Sequence, residues 1–177
     1  MIIISHEAEQ QAILQTAQAM VAAARTAPKT KGQDFLHTCI VTGEDLMALA
    51  DSMEALGNEH HLAFCIRDAA NVRNSHAVVL FGIGHNVRGL QEACQFCGSE
   101  NCTVSKASGN CCVYDPLDMG IAIGSAVSVA SNCHIDNRVM FSVGIGALAL
   151  KLFDEEVKMA VGIPLSTHGK SIYYDRK

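Results

Sequence analysis

The sequence predicts a mixed α/β (α+β) domain over residues 1–177, with a cysteine-rich loop inserted at 88–116. Three observations carry this. Apolar residues recur at helical spacing near the N-terminus, and short β-branched or continuous apolar runs separate the helical stretches. Five of the eight cysteines fall between positions 94 and 112, in a segment with neither period. With 177 residues, 49% hydrophobic and 18% charged, the chain can bury a core and does not read as disordered.

Ala12, Ile13, Ala17, Met20, Val21 and Ala24 share one helical face and place an amphipathic helix over Glu7 to Arg25. Pro28 and Gly32 bound a polar loop, Thr26 to Asp34. Its cations Arg25, Lys29 and Lys31 are either a solvated basic loop or ligands for a phosphate or acidic substrate. His37 to Thr42 reads as a strand. Thr42-Gly43-Glu44-Asp45 sets a hydroxyl three residues before a carboxylate, a helix start, and Leu46 to Leu56 follows until Gly57-Asn58. Ile66 to Asn74 suits a short helix, and the apolar run Ala77 to Ile83 a buried strand. Beyond the cysteines, helices are expected over Leu117 to Asn132 and Asn137 to Glu156, and a last strand over Val161 to Leu165. Gly120, Gly124 and Ser128, like Ala122, Ala126 and Ala130, recur every four residues and let backbones approach closely, either in the core or across a homodimer seam. Asp136 is the natural N-cap of the second of these helices, and Arg138 beside it a candidate anion ligand.

Thirteen Lys and Arg against 18 Asp and Glu give a net charge of −5, which disfavours nucleic acid and anionic membrane surfaces. The uncharged stretch Met119 to Ile135 is rich in Gly, Ser and Ala and falls short of the ~20 apolar residues of a membrane span. No basic segment precedes the apolar Met1–Ile4, so no signal peptide is expected and the cytoplasm is the expected compartment. Thiols stay reduced there, and clustered cysteines read as metal ligands or redox groups rather than disulfides. Gly82-x-Gly84 lacks the third glycine of a dinucleotide fingerprint, and Gly169-Lys170-Ser171 has too little chain behind it for a P-loop helix. Cys39, Cys65 and Cys133 sit in apolar settings and read as core residues.

The chemistry lies in Cys94-x2-Cys97-Gly98-x3-Cys102 followed by Cys111-Cys112. Four thiolates converge where the backbone turns freely, and Gly98 and Gly109 supply that freedom. Successive side chains diverge, so one member of the Cys111-Cys112 pair is a spare. A [4Fe-4S] cluster takes four cysteines, here Cys94, Cys97, Cys102 and either Cys112 or Cys111. Zinc, which accepts the same donors, is the alternative, and a metal-free set of reduced or redox-sensing thiols a third reading.

These residues resemble an uncharacterised family of ferredoxin-domain proteins. The likeness extends to Leu117–Ala126, Asp136–Gly144, Gly162–Ser166, Ala24–Lys29 and Arg67–Ala69. It implies a cluster-binding redox protein with an unnamed electron partner. It also selects Cys112, six residues before the aspartate of Asp118-x-Gly120, as the fourth ligand. The order of helices and strands, with the Gly-Ile-Pro strand at 162–164, is similar to a nitroreductase-type fold. That resemblance implies a homodimer with FMN at the subunit interface, its phosphate met by cations such as Arg25, Lys29 and Arg138. Met1 to Glu9 lacks the Arg-rich segment such folds carry there.

Overall fold

The computed structural model describes residues 1–174. In chain order it contains α1 (Ser5–Thr26), β1 (Leu36–Val41), α2 (Gly43–Glu59), α3 (Ala63–Arg73), β2 (Ala77–Gly84), α4 (Cys102–Ala107), α5 (Tyr114–Asn132), β3 (Asp136–Asn137), α6 (Phe141–Ala149) and β4 (Val157–Ser166). The strands form one antiparallel sheet in the order β1-β2-β4-β3. The architecture is a mixed α/β fold, as the sequence leads one to expect.

All eight residues of β2 are buried because the strand is central and both its faces are covered. Ala77, Val79, Phe81 and Ile83 face a core shared with α1 and α5, whereas Val78 and Leu80 face a second core made with α2, α3 and α6. On α5, Ala122, Ala126 and Ala130 are fully buried and let α1 lie close; Gly120, Gly124 and Ser128 form the outward face.

Several element boundaries differ from the sequence reading. Thr42 precedes α2 in extended conformation, but its hydroxyl makes no capping bond. Gly57 does not stop α2. It lies within the helix, where a Cβ would come 2.7 Å from Ile66, so its role is close approach of α3. The expected helix over Asn137 to Glu156 is only Phe141–Ala149. Asp136 and Asn137 instead pair with Ser166 and Leu165 as β3, so Asp136 is no N-cap. Lys151, at φ +56°, turns the chain away after α6, and β4 begins at Val157, ahead of the expected Val161. Cys65 is buried and Cys39 is half-buried and packs against the second core, but Cys133 is exposed just past the end of α5 and is not a core residue. Among the described residues no helix is long and apolar enough to cross a membrane.

Candidate metal centre

The cysteine segment lies between β2 and α5, leaving the strand at Gly84 and returning at the start of the helix. Gly98 (φ +78°) and Gly109 (φ +69°) turn the chain in the left-handed region, where a side chain would be strained. Between them the sequence reading missed a helix, α4, whose first residue is Cys102. Asn101 caps it, accepting from the Val104 N–H at 3.0 Å, a short Asn-led turn that carries no apolar period.

Cys94, Cys97, Cys102 and Cys112 line one cavity together with Arg88, Ser99 and Tyr114; Cys111 does not. The Cys111 Sγ instead lies 3.3 Å from the Cys112 carbonyl oxygen. All the cysteines are free thiols. The enclosed space is about 20 Å³, enough for little more than one water. Its outer wall, 94–102, belongs to neither core, and Phe96 there is 72% exposed.

The backbone already serves the sulfurs. The Ser99 N–H, then the Ser105 and Ser99 hydroxyls, hold the Cys97 thiol below its ordinary pKa. Burial pushes Cys112 up, against the N–H groups of Tyr114 and Arg88, which favour its thiolate. Burial likewise raises Cys111, reinforced by Asp115. The Tyr114 phenol is raised by desolvation and by its neighbour Cys94.

Behind the cavity lies an ionic cluster absent from the sequence reading. Arg88, 2% exposed, donates through Nη1 to Asp115 Oδ1 and through Nη2 to Asp118 Oδ2, each at 2.9 Å. Burial works against its charge, but Asp118 and Asp115 outweigh burial and hold the guanidinium above its ordinary pKa. Asp115 also accepts from the Asn86 N–H, and Asp118 from the N–H and hydroxyl of Thr30. Lys31 donates to the Arg88 carbonyl oxygen at 2.9 Å, and the Phe35 ring stacks 4.8 Å from the guanidinium. The Arg88 Nε is buried and has no partner. The one linear trace is the pair of acids three apart at the start of α5, which does not by itself single out Arg88.

The three candidate anion ligands do not gather at one site. Arg25 donates to Asp34 and to the Leu36 carbonyl oxygen. Lys29 donates to the carbonyl oxygens of Ala24, Arg25 and Ala27, closing the C-terminal end of α1. Arg138 donates to the Tyr173 carbonyl oxygen and packs on the Tyr174 ring. A further grouping, not singled out from the sequence, is His37 with Asp154 and Glu156, whose ligand atoms lie within 4.8 Å of one another at the surface.

A family model for an uncharacterised protein containing a ferredoxin domain (DUF2148) matches residues 108–176, which include Cys111 and Cys112. An uncharacterised protein of Archaeoglobus fulgidus is 41% identical over 166 residues, covering 89% of this chain and 88% of that protein. Among solved structures, the FMN-dependent nitroreductase NfnB of Mycobacterium smegmatis, in complex with NADPH, superposes with TM-score 0.64 at 14% identity, over 92% of this chain and 82% of that one. Nitroreductase CinD of Lactococcus lactis gives TM-score 0.62 at 12% identity, over 96% and 81%. At such identities the likeness is one of fold.

Proposed function

The chain belongs to the family of uncharacterised proteins containing a ferredoxin domain, and from that premise we propose that it carries one four-iron four-sulfur cluster on Cys94, Cys97, Cys102 and Cys112 and passes single electrons to or from a partner. The observation that carries this reading is the shared cavity: those cysteines line it, and Cys111 turns away. Such a cluster, when bound, supplies one-electron chemistry whose potential depends on hydrogen bonds to its sulfurs. The chain provides these donors in the N–H groups of Ser99, Tyr114 and Arg88.

Cysteine spacing in the sequence favours the cluster over zinc, whose commoner pattern repeats C-x2-C in the second pair, where this chain has Cys111-Cys112. Residues 94–102, outside both cores, are the wall that moves outward to admit a larger group. The fit to flavin is poor, because Arg25, Lys29 and Arg138 are turned to acceptors of the chain itself. A second copy of the chain is part of this reading. Leu117 and Ile121 on the outer face of α5, and Phe141 at the start of α6, stay exposed as apolar surface of the kind that pairing covers.

The test is anaerobic purification followed by a visible spectrum, with iron, sulfide and zinc quantified and the mass in solution measured on the same sample. The expected result is a dithionite-bleachable shoulder with about four irons per chain, at twice the mass of one chain. Cys112→Ser loses the iron and Cys111→Ser keeps it. A colourless protein holding one zinc overturns the redox reading, and a monomer overturns the pairing.

A further inference from the structure

Arg88 is held more rigidly than a structural ion pair needs. One nitrogen of its guanidinium is fixed by Asp115, another by Asp118, and its own carbonyl oxygen by Lys31. Phe35 covers the flat face of the group. An arginine placed only to pair two acids would leave its Nε in water or on a carbonyl oxygen. Here Nε is buried and bonded to nothing, on a residue that lines the cysteine cavity. Leaving a buried donor unpaired is destabilising, so this one implies an acceptor absent from the protein chain itself. The acceptors that belong in that cavity are sulfurs.

Resting on the cluster reading above, we infer that Arg88 is a positioning residue for the bound cluster, its Nε–H donating to a sulfur at the floor of the cavity and so setting the reduction potential. Asp115 and Asp118 aim the donor, since two anchored nitrogens fix the plane of the group and with it the direction of the third N–H. Arg88 keeps its proton throughout. When one electron arrives from an external one-electron donor, no bond breaks, and the added negative charge on the sulfurs strengthens the N–H···S bond. The donor therefore favours the reduced form and raises the potential. Lysine at this position keeps the charge but has no planar fork to hold both acids and still present a third N–H.

The experiment is a redox titration of anaerobically purified wild type, Arg88→Lys and Arg88→Gln, with iron content and far-UV circular dichroism on each sample. The expected result is that Arg88→Lys folds, keeps its iron and has a more negative midpoint. The shift is about tenfold in the oxidised-to-reduced ratio, or 59 mV for a one-electron couple. Arg88→Gln, which also leaves two buried carboxylates without a cation, shifts further in the same direction. If Arg88→Gln fails to fold, Arg88→Lys alone decides. A midpoint unchanged in folded, iron-loaded Arg88→Lys overturns the inference and leaves the cluster intact, as does loss of iron from Arg88→Lys that keeps its fold. A wild type without iron and sulfide overturns the cluster reading instead, and shows it before any variant is made.

Discussion

His76 shows what burial does to a single group. Its backbone N–H donates to the Leu165 carbonyl oxygen at 3.0 Å, its ring lies 5.5 Å from that of His168, and its Nδ1 is buried without a partner. Burial, with the neighbouring His168 and His6, pushes its pKa below the ordinary 6.5. The unfolded chain therefore takes up this proton at a higher pH than the folded one. Its contribution is fully present above about 6.5 and is lost as the pH falls through 6.5 toward the lower folded value. The melting temperature is expected to drop between pH 7.5 and 5.5, and His76→Gln to flatten that part of the profile in a thermal-melt series. At this scale the sequence discloses residue types better than partners. The cysteines announce themselves by crowding and spacing. Arg88 looks like any loop arginine, because its two acids lie 27 and 30 residues away and only the fold brings them together.

Between elements, glycine separates two kinds of helix. A Cβ on Gly144 of α6 would sit 1.8 Å from the Ala160 carbonyl oxygen of β4, a backbone atom with nowhere to move. Gly144→Ala must push α6 off the sheet and is expected to cost about 1–3 kcal/mol or more in urea unfolding. Gly124 of α5 has nothing within 4 Å in its own chain, so Gly124→Ala is expected to stabilise the unpaired chain by roughly 0.5–1 kcal/mol in urea unfolding at high dilution. These contacts also explain which elements were legible. α1, α2 and β2 carry their periods over enough residues to be read directly. The stretch 137–156 holds the last residue of β3, the nine-residue α6 and the turn beyond it, and the apolar run 139–150 carries no mark of where the strand ends and the helix begins; only pairing with β4 divides them. Pro116 marked the apparent start of α5 at Leu117, but proline is at home in a first turn, and the helix begins at Tyr114.

Over the whole molecule, the cysteine segment stands apart from the two apolar cores. Neither core contains Cys94, Cys97, Cys102 or Cys112. This contrasts with small zinc modules, whose fold is lost with the metal. Stripping the metal with a chelator is expected to leave far-UV circular dichroism unchanged. In hydrogen exchange it is expected to free the amides of 85–113 while those of β2 stay protected. Global unfolding on stripping would show that the segment and the cores melt as one.

The hydrogen bonds between Thr30 and Asp118 span 88 residues. On a ribosome that interval is a schedule. Thr30 and Lys31 emerge early; Arg88 follows, then the cysteines, and only afterwards Asp115 and Asp118. A nascent chain ending at Cys112 already displays every thiol of the proposed ligand set but has neither acid to orient Arg88, and the early loop has nothing to latch onto. Synthesis thus exposes the thiols before their surroundings exist, and the emergence of α5 is the moment at which the proposed site is complete.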